Sequence, residues 1–368
     1  MKLENKNVEN EPVSYHDLLR ESIKTGDVKA LTELLQNDEA DIDIDQLDWN
    51  GSGNAPILDA AIEGQVKIVR VLCENGCNVN ARTSRGETAL HMAVSCRQFN
   101  AEMINLLLTN GCNPDIQHNL GRQTALHMFI KKHVVSTELN SEILNVFESL
   151  VKASDVNKGD DRSRTPLHYI ASSGKANLKL LQILLDHGAN PNLQNDRKES
   201  ALHEALQNNS ESVADILITR HTNLYLETIY KETPLHIAAR KNMIPIVKLL
   251  LEHDVPINAQ DLKGNTALHL AASKGYNDVV QLLVEKEQIQ LNISNNEGFT
   301  PLHLAVDSGF IFTVEILLKA DSCDLTARTK RSETALDLAQ HDYRRRSQPE
   351  MIEVLSREIQ RRSCGKSM

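Results

Sequence analysis

The stretch TALHLAASKGYNDVVQLLVE, residues 266–285, decides the fold. Thr266 is placed to cap a helix, because its hydroxyl can accept from an otherwise unpaired N–H of the first turn. Leu268, Leu270, Ala271 and Ala272 supply the apolar face of a short helix. Gly275 suits the left-handed residue that ends it. From about Asn277 to Glu285 a second helix is expected, with Val279, Val280, Leu282 and Leu283 at helical spacing. A turn-forming run, Asn295-Asn296-Glu297-Gly298, then leads onward. The opening tetrapeptide recurs from Thr88, Thr124, Thr165, Ser200, Thr233, Thr266, Thr300 and Thr334, with a weaker copy from Ala55. Successive starts lie 33, 36, 41, 35, 33, 33, 34 and 34 residues apart. A period of this size means stacked supersecondary units, not one globular core.

Pro replaces Ala after the capping residue in three copies (Pro166, Pro234 and Pro301), where a missing N–H costs nothing. The full pattern is TPLHxAA, Gly, an apolar helix, then GAxxN. It is nearly intact in 165–192 and 233–259. It resembles the ankyrin repeat, over roughly residues 13 to 360. The resemblance implies an all-α solenoid of stacked helix-turn-helix units with hairpin loops, about ten units counting both caps. It also implies a structural role for the motif histidines (His91, His127, His168, His203, His236, His269 and His303), bonded to the motif Thr and to neighbouring backbone. Residues 1–12 are expected to be disordered, 13–47 to form an N-terminal capping unit, 48–342 the repeats, and 343–368 a C-terminal cap helix with a basic tail.

Irregular units sharpen the map. The 41-residue gap after Thr124 places extra residues near 131–140, between the two helices of that unit, where they should be tolerant and mobile. The units from Thr88 and Thr165 carry about two extra residues before their second helix. Tyr225 stands where Asn80 and Asn258 stand elsewhere, and Asp337 replaces the histidine in the last copy.

Composition fits this reading. Hydrophobic residues are 40% and charged residues 24%, which favours a folded chain over disorder. No run approaches the roughly 20 apolar residues that cross a bilayer, and residues 1–12 lack the apolar core of a secretory signal. The six cysteines then read as reduced thiols, and the location as cytoplasmic or nuclear. Neither the histidines nor Cys73 and Cys77 have metal-ligand spacing, so no cofactor or metal is expected. The terminal CGKS lacks the glycine that a phosphate loop needs, since Gln360 stands there.

The chain carries a net charge of −10. Segment 343–368 has seven basic and three acidic residues, +4, so residues 1–342 carry −14. Phosphate repulsion opposes nucleic-acid binding by such an array, and basic partners gain from steering. Two Arg-Arg-Ser triplets, at 345–347 and 361–363, would suit an import patch or a kinase target, and a solvated cap with a frayed end is the alternative reading.

The resemblance points to a monomeric, non-catalytic module that holds another protein along its concave face: a scaffold, an adaptor or an inhibitor. Inhibitors of Rel-type transcription factors and ubiquitin-ligase substrate receptors are the finer alternatives. An enzyme or nucleic-acid binder using the insertion or tail is the minor one. Positions not fixed by repeat packing nominate the contact residues: Arg85, Arg122, Met128, Tyr169, Arg197, Tyr230, Arg240, Lys241 and Lys274. Aromatic and Arg side chains dominate binding energy at interfaces.

Overall fold

The computed structural model describes residues 14–37, 42–48, 51–96, 98–136, 139–220, 222–340 and 349–364. The expected disorder of 1–12, Trp49 and the Arg344-Arg345-Arg346 run lie outside these residues. Among the described residues the chain forms twenty helices and, apart from one isolated bridge between Gln194 and Ser200, no strand. The fold is the all-α repeat solenoid that the period implies. It divides into two compact units, Met1–Ile170 with Lys179–Ala189, and Ala171–Leu178 with Asn190–Met368.

Each repeat is built from its motif upward. Thr266 caps helix Ala267–Ala272, its Oγ1 2.8 Å and its backbone N–H 3.0 Å from Nδ1 of His269. The backbone donor makes Nδ1 an acceptor, so the proton sits on Nε2, 3.0 Å from the Phe299 carbonyl of the following repeat. His91, His127, His236 and His303 reach onward in the same way, to Gln123, Arg164, Asn265 and Ala327. One ring therefore caps its own helix and ties it to the next repeat. Leu268, Ala271, Ala272, Val279, Val280 and Leu283 are fully buried around it.

A second ladder runs beside the first. In the first unit Asn113 donates its N–H to Asn80 at 2.7 Å, and Asp155 to Asp115 at 2.8 Å. In the second unit Asn223 donates to Asn192 at 2.7 Å, Gln290 to Asn258 at 2.9 Å, and Asp324 to Asn292 at 2.8 Å. The rung between the Ser200 and Thr233 repeats would join Tyr225 to residue 256. Tyr225 offers no amide oxygen, and Pro256 has no N–H. The Asp254 carboxylate instead raises the pKa of the exposed Tyr225 hydroxyl.

Helices flank the repeats on both sides. Helices Tyr15–Thr25 and Val28–Leu35 turn at Gly26, with Asp27 capping the second, and bury Leu31. At the other end Asp337 accepts from the Thr334 N–H (2.9 Å) and hydroxyl (2.8 Å). A carboxylate repeats the capping half of the histidine's work but has no proton to pass onward. Helix Pro349–Cys364 follows and buries Met351 and Leu355. Arg362 donates to the carbonyls of Leu318 (2.9 Å), Ala320 (3.2 Å) and Asp321 (3.1 Å), at the end of helix Ile311–Leu318. Arg361 pairs with Asp321 and Glu358. Arg361 and Arg362 of the second Arg-Arg-Ser triplet thus tie this helix to the repeat before it.

The insertion also differs from expectation. The extra residues lengthen the flanking helices, to Ala125–His133 and Ser141–Ala153. His133 and Val134 are buried, and the His133 ring lies 4.6 Å from that of Phe129. Lys132 donates to the carbonyls of Val94 and Cys96, closing the glycine-free end of helix Ala89–Ser95. His133 and Val134 are therefore packed, while Lys131 stays exposed.

Candidate binding surface

The turns between repeats carry the most exposed large apolar side chains on the motif side of the repeats. Each turn needs one residue in the left-handed region, two before the capping Thr or Ser. Gly264 fills it with φ 77°, and an added Cβ would come within 2.8 Å of the Asn296 nitrogen. Elsewhere the same place is held by Arg122, Ser163, Lys198, Lys231 and Ser332, with φ between 49° and 64°. Non-glycine residues pay of order 1 kcal/mol for this conformation. The backbone of each turn is nonetheless fixed by its neighbour.

In the second unit these links form a continuous row. Ile229 donates its N–H to the Arg197 carbonyl at 3.0 Å, and Leu262 to Tyr230 at 2.8 Å. Asn296 donates to Lys263 at 2.9 Å, and Lys330 to Glu297 at 3.1 Å. Tyr230 and Leu262 are each 57% exposed and Ile229 is 44% exposed, so three large apolar side chains project from adjacent turns. In the first unit Asn119 donates to the Arg85 carbonyl at 2.8 Å, and Leu120 projects at 67% exposure.

Of the residues nominated from sequence, Arg85, Arg122, Arg197, Tyr230 and Lys274 are exposed, and Met128 and Lys241 are half-buried. Arg122 donates to Gln117, and Lys241 to Asn209. The rungs bring Arg197 and Tyr230 onto one row. Arg240 is not free: its guanidinium pairs with Glu232 at 3.1 Å and braces the turn against its helix. Tyr169 departs furthest from expectation. It is 8% exposed, and its hydroxyl donates to the buried Asp160 at 2.7 Å. Gln123 and Arg164 donate to that hydroxyl, and the Arg164 guanidinium lies 4.6 Å over the ring. Burial and the Asp160 charge push the phenol well above its usual range. Asp160 stays below its ordinary value: burial works against its charge, and hydrogen bonds from Tyr169 and the backbone outweigh burial. Tyr169 is an interior brace.

Ile229 and Leu262 were missed because a lone apolar residue in a turn has no helical or strand period to mark it. The signal that could have found them is that same lack of a core partner.

Among the described residues the other features do not assemble a chemical site. A cleft of about 810 Å³ lies between helix Tyr15–Thr25, helix Pro56–Ile62 and residues 46–48 and 51–54. Its polar groups pair among themselves: Arg20 with Asp17 and Asp48, and Asp59 with Ser52 and Asn54. Among the described residues no group of three or more His, Cys, Asp or Glu side chains is placed to hold a metal ion, and no helix is long and apolar enough to cross a membrane.

Comparison with known proteins agrees with this architecture. A sequence profile described as ankyrin repeats (3 copies) matches overlapping windows at 19–117, 95–192, 133–228, 176–261, 217–295 and 235–329. The E3 ubiquitin-protein ligase XBAT33 of Arabidopsis thaliana is 33% identical over 159 residues, covering 38% of this chain and 30% of that protein. Neurogenic locus notch homolog protein 2 of Homo sapiens is 25% identical over 238 residues, 52% of this chain and 9% of that protein. The putative ankyrin repeat protein FPV014 of fowlpox virus is 27% identical over 188 residues, 51% of this chain and 39% of that protein. The chain thus spans well under half the length of these relatives. With the repeat profile matched from residue 19 to 329 and the capped helix pairs in place, the chain belongs to the ankyrin repeat family.

Proposed function

We propose that this chain is a non-catalytic protein-binding module, a scaffold, adaptor or inhibitor that seats a partner on its turns and first helices. The observation that carries the reading is the row at 196–265, where backbone rungs hold Ile229, Tyr230 and Leu262 in fixed, exposed positions. Exposed apolar clusters on a pre-ordered backbone bind without a large ordering cost. A combined Tyr230→Ala and Leu262→Ala variant removes side chains that hold no core together. It should keep the helicity of the parent chain. It should weaken the main co-purifying protein at least about tenfold, equivalent to 1.4 kcal/mol, as read by titration calorimetry. Undiminished affinity contradicts the reading.

A narrower version is favoured by the plant ubiquitin ligases among the relatives. On that version the chain is the substrate-holding part of a ligase, and the protein it seats is one that becomes ubiquitylated.

A further inference from the structure

The charge of the turn row runs against the charge of the chain. The five turns of the second unit are residues 196–199, 229–232, 262–265, 296–299 and 330–333. Their exposed cations are Arg197, Lys198, Lys231, Lys263, Lys330 and Arg331. The carboxylates in the same turns are mostly folded back into the scaffold. Glu232 is 14% exposed and paired with Arg240, Glu199 accepts from Asn195, and Glu333 accepts from Thr329. Only Asp196 and Glu297 remain exposed among them. The row is therefore basic at its surface and studded with Ile229, Tyr230 and Leu262.

Building on the protein-binding reading, we propose that this row docks an extended acidic segment of another protein, one bearing aromatic or aliphatic side chains. Its shape follows from the rungs: one backbone step per repeat makes a line, not a pit. Its charge preference is set by distance. At physiological ionic strength charges beyond about 8 Å are largely screened, so the turn cations outweigh the net −10 of the whole chain for a segment lying directly on them. Its apolar preference follows from Tyr230 and Leu262, which offer buried area that charge alone does not use. A nucleic acid fits less well. Ile229 and Leu262 do nothing for a phosphate backbone, and Asp196 and Glu297 interrupt the line with like charge.

The test is a display selection of random 16-residue peptides on the full chain at 0.15 M salt, with a 20-nucleotide single strand run in parallel. The enriched peptides should be net negative and carry large apolar residues. Their affinity should fall at least tenfold for the Arg197→Glu, Lys231→Glu, Lys263→Glu variant, which should melt at the parent temperature. It should fall similarly for Tyr230→Ala with Leu262→Ala. Neutral or basic winners, affinity indifferent to both variants, or tighter binding of the oligonucleotide than of any peptide would overturn the inference and leave the binding reading standing. Enrichment of no peptide at all would likewise overturn the inference, while the binding reading is tested separately by the affinity for the main co-purifying protein.

Discussion

At the scale of single residues, the motif histidine does the most. Its neutral Nε2–H form is required by the geometry, since Nδ1 accepts from the capping residue and Nε2 donates onward. Burial pushes His91, His127 and His269 down to about 4, and lowers His236 and His303 as well. In the unfolded chain the same groups titrate near 6.5. The unfolded state therefore binds more protons between these values, so the stabilisation is present above about 6.5 and is lost as pH falls toward 4. Moving from pH 7 to pH 5 should cost on the order of 2 kcal/mol for each of His91, His127 and His269. Urea unfolding at the two pH values measures it, and equal stability would show that the rings are not neutral interior groups. This role was legible from the TPLH tetrapeptide. The interior place of Tyr169 was not. It depends on Asp160 lying within hydrogen-bond reach, a contact between a turn and the helix after it that no spacing rule encodes.

At the scale of elements, the two ladders show where neighbouring repeats are joined. The histidine and asparagine rungs repeat through both units, and one asparagine rung is missing at Tyr225 and Pro256. Both partners of that rung are changed, so restoring one alone gains nothing from pairing. Tyr225→Asn combined with Pro256→Asn should be more stable than the two single effects predict, by about 1 kcal/mol, the net worth of one hydrogen bond. A double-mutant cycle in urea checks it, and strictly additive effects would mean that these two positions do not meet. Tyr225 was visible in the sequence as an odd residue in the asparagine column. Its tie to Pro256 needed the register of two repeats at once. The insertion near 131–140 was visible as a broken period, but its fate was not. His133 and Val134 are buried, so part of the added chain is core. Extra length in a repeat can extend helices as readily as loops, and the period alone does not distinguish them.

At the scale of the molecule, the all-α repeat architecture could be read from one tetrapeptide and its spacing. The surface could not be read as fully. A net charge of −10 describes the chain, yet the turn row of the second unit is locally basic because Glu199, Glu232 and Glu333 turn inward. Net charge sums over positions, while a partner meets only those that face it. The basic C-terminal helix shows the converse, since Arg361 and Arg362 look available in the sequence and are engaged in the fold. The central claim is that the chain holds a protein on its turn row. Hydroxyl-radical footprinting of the chain, free and bound to its main co-purifying protein, tests it most directly. Oxidation of Tyr230 and Leu262 should fall at least about threefold on binding, while Phe312, 71% exposed on helix Ile311–Leu318, should be oxidised as before. Unchanged oxidation of Tyr230 and Leu262 together with protection of Phe312 would contradict the claim and move the contact to the second helices.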